Sequence, residues 1–146
     1  MAADKPDQIS GLEFDDADVA QAYLRRPAYP DELIRRLIAL APEHRHALDL
    51  GCGPGKLAIP LSRAFERVTA IDPSAPMIAL GRSLAPTRVG EIHWVCATSE
   101  DADFDAPVDL AVAGASLHWM THGVLFPKLR DAMAPGARIA VVDGDG

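Results

Sequence analysis

From residue 31 onward the apolar positions fall alternately into short compact runs and stripes at helical spacing. Behind Asp31 and Glu32, whose charges suit a first helical turn, Leu33, Ile34, Leu37, Ile38 and Leu40 form one stripe, and Pro42 ends it. Leu48 to Gly51 reads as a first strand, residues 55–65 as a crossover helix, and Val68 to Ile71 as a second strand. Pro60 lacks an N–H, so this helix should bend or start as a 3₁₀ turn. A helix over residues 74–84 carries Met77, Ile78, Leu80 and Leu84, and Ile92 to Cys96 makes a third strand. Val108 to Ala113 is a fourth strand, followed by a helix with Val124, Leu125, Leu129 and Met133, a turn at Pro135-Gly136 and a fifth strand over residues 138–142. Strands alternating with helices at this interval predict βαβ units and an α/β fold with a parallel sheet. Upstream, residues 1–13 have no periodic pattern and are expected to form a flexible tail, leaving 14–146 as one domain. Asp15 or Asp16 can cap a short helix with Val19, Ala22 and Tyr23, and Pro27 and Pro30 bracket a bend.

The first strand runs into Asp49-Leu50-Gly51-Cys52-Gly53-Pro54-Gly55. Three glycines so close together suit a strand-to-helix turn in which backbone adopts positive φ and approaches a ligand. A phosphate-cradling loop of the G-x-x-x-x-G-K-[ST] type is excluded, since Leu50 stands at its first glycine and Leu57 at its hydroxyl. A dinucleotide fingerprint is weakened because Lys56 occupies the place of its third glycine. The second strand ends at Asp72-Pro73-Ser74, about twenty positions after Gly51, where doubly wound folds place a carboxylate for ribose hydroxyls. An aspartate before Pro-Ser also serves as an ordinary turn residue or helix cap.

The acidic–apolar–G-x-G-x-G run resembles motif I of the class I S-adenosylmethionine-dependent methyltransferases, and Ala70-Ile71-Asp72-Pro73-Ser74 resembles their next motif. Val108-Asp109-Leu110-Ala111-Val112 with Ser116-Leu117-His118-Trp119 is similar to the F-D-L-V…A-x-H-W stretch of the same group, and the Tyr23…Arg26-Pro27-Ala28-Tyr29-Pro30 passage resembles the lid segment of its trans-aconitate-methyltransferase-like members. The resemblance implies a Rossmann-like doubly wound sheet in the order 3-2-1-4-5 with helices on both faces. It implies S-adenosylmethionine as cofactor, held by Asp49, Gly51, Cys52, Gly53 and Gly55 at the glycine turn and by Asp72, Pro73 and Met77 after the second strand. Thr98, Ser99 and Glu100 would meet the adenine, with Thr98 standing where the family often has a carboxylate, and Ala115 would complete the pocket. Tyr29, His118 and Trp119 are the candidates for acceptor contact or catalysis: a histidine can take a proton near neutral pH, and an aromatic face favours a sulfonium. Each has a plainer role as well, Tyr29 as a packing residue and His118-Trp119 as a cap and core anchor.

The resemblance covers residues 14–143, and the family's sixth and seventh strands have no counterpart, so a domain truncated after the fifth strand is expected. Its exposed edge suggests a homodimer or another covering partner. The formal charge of −7 with no window rich in Lys and Arg gives no footprint for nucleic acid. Two cysteines, Cys52 and Cys96, make neither a disulfide framework nor a zinc site, and no metal is expected. No segment has a signal-peptide pattern or enough consecutive apolar residues to span a bilayer, which predicts a cytoplasmic protein without membrane contact. The expected function is methyl transfer to a small-molecule acceptor. Two alternatives stay open: a catalytically impaired cofactor-binding module with a regulatory or assembly role, and an NAD-dependent oxidoreductase.

Overall fold

The computed structural model describes residues 27–86, 90–114 and 122–142. In chain order the elements are α1 (Asp31–Leu40), β1 (His46–Leu50), α2 (Ala58–Leu61), β2 (Arg67–Asp72), α3 (Ala75–Leu84), β3 (Glu91–Cys96), β4 (Val108–Ala113), α4 (His122–Ala132) and β5 (Met133–Val141). The strands form one sheet in the order β3-β2-β1-β4-β5, and every pairing is parallel. Fold class and strand order are as the sequence led one to expect. The expected tail and the helix around Val19 and Tyr23 lie outside the described residues.

β1 and β4 are buried along their whole length, the pattern of central parallel strands covered on both faces. On one face Ala47, Val68, Ala70, Leu110 and Val112 pack with Ile34 and Leu37 of α1, Ala58 and Leu61 of α2 and Ile78 of α3. On the other, Leu48, Leu50, Ile71, Ala111 and Ala113 pack with Leu125, Leu129 and Ala132 of α4. Successive residues of β1 therefore serve different cores, as the period of two in a strand requires. Of the apolar residues expected in α4, Val124 is 52% exposed and Met133 lies in β5, which it opens.

Two local departures have physical causes. The first crossover helix is far shorter than residues 55–65. Pro60 has no N–H to donate, and after Leu61 the chain tightens into i→i−3 bonds, Arg63 to Pro60 at 3.2 Å and Ala64 to Leu61 at 3.0 Å. One such bond, Gly55 to Cys52 at 3.0 Å, also stands ahead of the proline, so tight turns flank Pro60 on both sides. In β5, Met133 pairs with Val108, but the ladder resumes only at Leu110–Arg138. The intervening excursion holds Pro135 and Gly136, the latter at φ 83°, so the expected turn survives as an interruption within the strand. On β5, Ile139 and Val141 are exposed.

Candidate functional site at the carboxyl ends of the strands

β1 delivers the chain into the glycine turn. Gly51, Gly53 and Gly55 have φ of 69°, 55° and 89°, values that side-chain-bearing residues rarely adopt. The Cys52 amide donates to the Ile71 carbonyl at 2.8 Å, carrying the β1–β2 pairing past the end of β1 before the chain turns away. Asp72, the last residue of β2, then fixes the turn. One carboxylate oxygen accepts from the Gly53 amide at 2.9 Å and the other from the Ser74 amide at 2.8 Å. Burial pushes the Asp72 carboxyl up, and these two amides oppose the shift by stabilising its charge.

Asp49 lies beneath the same turn and is 2% exposed. Burial drives its pKa from 3.8 to about 7; the Ala58 backbone amide opposes the shift and the charge of Asp72 adds to it. Its Oδ2 has no hydrogen-bond partner. A buried carboxylate oxygen left unsatisfied is costly, and such atoms concentrate where a ligand supplies the missing donor. Between the two aspartates, the Cys52 thiol donates to the Gly53 carbonyl at 3.2 Å. Burial and the two neighbouring carboxylates push it far up, so it is a packing group and no nucleophile.

The remaining expected residues fall around these carboxylates to different degrees. Ser74 caps α3, its hydroxyl accepting from the amide of buried Met77 at 3.4 Å, while the exposed Pro73 accepts from the Cys96 thiol at 3.5 Å. After β3, exposed Thr98 closes a turn, its hydroxyl and carbonyl accepting from the Asp101 amide at 3.2 and 3.1 Å. Ser99 is 3% exposed, and its hydroxyl has no partner. The Glu100 carbonyl accepts from Lys128 of α4 at 2.8 Å. Tyr29 is half-buried, with its hydroxyl 3.8 Å from where a Cβ on Gly114 would stand, which brings it to the end of β4. Ala115, His118 and Trp119 lie outside the described residues. Among the described residues no group of three or more His, Cys, Asp or Glu is placed to hold a metal ion.

Sequence reasoning missed Trp94, read only as part of β3. The rim of its indole occupies the space beside Gly55 and Gly81: a Cβ would come within 2.7 Å of Cη2 at Gly55 and within 2.5 Å of Cη2 and Cζ3 at Gly81. The third motif glycine is therefore required by positive φ and by an internal side chain together. Gly81, isolated inside an otherwise regular helix, was the signal available in the sequence.

At the opposite end of the sheet, fully buried Asp109 accepts from Arg45 Nη2 at 2.6 Å and from the Arg45 and His46 amides at 2.9 and 3.2 Å. Burial pushes its pKa up, but these partners outweigh burial and hold it below the ordinary carboxylate range. His46 bridges the Asp105 carbonyl at 2.9 Å and the Thr69 hydroxyl at 2.7 Å. A cavity of about 320 Å³ beside Arg45, His46 and Arg67 belongs to this structural end, away from the glycine turn.

A parallel doubly wound sheet with a glycine turn after β1 and an acidic residue closing β2 defines a domain built for a nucleoside-containing cofactor. Residues 47–136 match the family model described as a methyltransferase domain, and the chain belongs to this family, the class I S-adenosylmethionine-dependent methyltransferases. It is 33% identical over 115 residues to trans-aconitate 2-methyltransferase of Streptomyces coelicolor, an alignment covering 75% of this chain and 38% of that protein. With trans-aconitate 2-methyltransferase of Paracidovorax citrulli it shares 39% over 119 residues, covering 80% and 44%. A solved structure of a protein proposed to be a type II methyltransferase from Anaeromyxobacter dehalogenans superposes with a TM-score of 0.70 at 37% identity, covering 80% of this chain and 48% of that one. The chain thus spans less than half the length of these relatives. None of these findings favours the dinucleotide oxidoreductase or the impaired binding module.

Proposed function

We propose that this chain binds S-adenosylmethionine across the glycine turn and supports transfer of its methyl group to a small-molecule acceptor. The observation that carries the reading is the unpartnered, buried Asp49 oxygen beneath a turn of three positive-φ glycines, with Asp72 at its flank. This donor set fits the cofactor. A cationic amino group at the turn supplies what Asp49 lacks, directly or through water. The Asp72 oxygens each accept one amide and keep lone pairs for the ribose diol. Gly51, Cys52, Gly53 and Gly55 form the wall along the methionine portion, Pro73 and Met77 border the ribose, and Thr98, Ser99, Glu100 and Ala115 are assigned to the adenine.

When bound, the cofactor supplies a methyl group on a sulfonium. The acceptor atom forms its bond to that carbon as the carbon–sulfur bond breaks, leaving S-adenosylhomocysteine, and any proton on the acceptor atom must leave. Alignment and exclusion of water carry most of such a displacement. Tyr29, at the end of β4, is assigned to the acceptor side together with His118, the proposed proton acceptor, and Trp119, the proposed aromatic wall. The relatives named for trans-aconitate make small polycarboxylates the first acceptors to try. Methyl-labelled cofactor should transfer its label to trans-aconitate or another small acid, and Tyr29→Phe should slow turnover with little effect on cofactor affinity. A chain that binds the cofactor and methylates nothing in a broad small-molecule panel would overturn the catalytic part of the reading.

A further inference from the structure

The turn after β3 is held from two sides. At its start, the Ala97 amide donates to the backbone carbonyl of Asp72 at 3.1 Å, tying it to the strand end that also orders the glycine turn. Within it, the Asp101 and Ala102 amides converge on the Thr98 carbonyl at 3.1 and 3.0 Å. On its far side Lys128 of α4 reaches it, its Nζ donating to the Glu100 carbonyl at 2.8 Å, while Ala102 just beyond packs with Leu125 and Leu129. That ammonium also stands 4.9 Å from the Phe104 ring centroid, within reach of a cation–π contact. α4 itself is anchored by fully buried Leu125 and Leu129. Lys128 therefore transmits the position of a well-packed helix to a turn whose side chains include exposed Thr98 and buried Ser99, the latter with an unsatisfied hydroxyl.

We propose that Lys128 is a positioning residue for recognition of the adenine: by clamping the Glu100 carbonyl to α4 it holds the 98–101 turn where its polar groups meet the adenine edge. The inference rests on the cofactor reading above. Lys128 touches no cofactor atom in this account; it acts through the turn. A charge-assisted hydrogen bond to a backbone carbonyl is the strong kind, and losing it removes the tie that fixes the Glu100 carbonyl to α4. A displacement of the turn by a fraction of an ångström is enough to spoil hydrogen bonds to the N6 edge, while the ribose and methionine contacts, made by Asp72 and the glycine turn, stay in place.

The test is calorimetric titration of the 146-residue chain with S-adenosylhomocysteine and with its deaminated analogue S-inosylhomocysteine, in the wild type, Lys128→Met and Lys128→Arg. Methionine keeps an unbranched side chain of similar length and removes the donor; arginine keeps a donor. The wild type should prefer the adenosine compound. Lys128→Met should weaken it about tenfold, as expected for loss of a charged hydrogen bond, while weakening the inosine compound less than about twofold. Lys128→Arg should restore most of the preference. A merely structural role would lower both affinities together with the unfolding temperature, and that result, or an unchanged preference, would overturn the proposal. Should Lys128→Met fail to fold, Lys128→Leu, which likewise has no donor, is read for the same loss of preference. A folded wild type that binds neither compound would overturn the cofactor reading and this inference with it, whereas binding with no effect of Lys128 would overturn this inference alone.

Discussion

Asp49→Asn removes a charge that the fold holds against its solvation. In the unliganded chain the carboxyl titrates at about 7 instead of 3.8. A raised carboxylate pKa means that the folded state binds the proton more tightly than the unfolded one. Its contribution to stability is full below about pH 4 and is lost as pH rises through 7. The whole displacement corresponds to about 4 kcal/mol, of which about 2.5 kcal/mol falls between pH 5 and pH 8. Asparagine keeps an oxygen for the Ala58 amide and does not titrate. The assay is urea unfolding of both chains at pH 5 and pH 8 without ligand, because titrating groups that do not interact with Asp49, His46 among them, cancel in the difference between chains. Relative to the wild type, the variant should gain about 2.5 kcal/mol on going from pH 5 to pH 8, a relative shift of about 1 M or more in urea midpoint for ordinary slopes. Parallel pH dependence in the two chains would refute the claim that Asp49 is buried and unsatisfied.

Gly81→Ala should destabilise the chain by about 1–3 kcal/mol despite alanine's better helix propensity. The new methyl would stand 2.5 Å from the Trp94 ring and 3.1 Å from the Pro54 carbonyl, and combining it with Trp94→Leu should recover part of the loss in urea unfolding. The His46 pKa is depressed, by burial first and by the Arg67 charge second, so its contribution is present above the unfolded value of 6.5 and lost as pH falls below it. His46→Gln should flatten stability over that lower range, and an unchanged slope would count against the assignment. Thr98→Asp keeps an acceptor for the Asp101 amide and adds one for an exocyclic amine. It should tighten S-adenosylhomocysteine binding severalfold by calorimetry, and equal or weaker binding would remove Thr98 from the adenine contacts.

The sheet was legible because parallel strands covered on both faces leave compact apolar runs at regular intervals, and the site's skeleton because positive φ leaves glycines at Gly51, Gly53 and Gly55. Asp72 was legible by its interval from them, although its second function, closing the glycine turn through the Gly53 amide, appears only in three dimensions. Neither the truncation of α2 nor the interrupted register of β5 followed from periodicity, since each depends on where one proline or glycine leaves the ladder. Trp94 and Lys128 were hidden for a different reason: each acts on elements distant in sequence, Trp94 on Gly55 and Gly81, Lys128 on Glu100. A lysine at that place in a helix reads as surface until its carbonyl partner is known.

Calorimetric titration of S-adenosylmethionine into the 146-residue chain at pH 8, beside Asp49→Asn, tests the central claim most directly. The account predicts saturable binding at one site in the wild type and at least tenfold weaker binding in the variant, with the variant folded as judged by its unfolding midpoint. A folded wild type that takes up no cofactor, or a variant that binds it equally well, would contradict the assignment of the glycine turn and its buried carboxylate as the cofactor site.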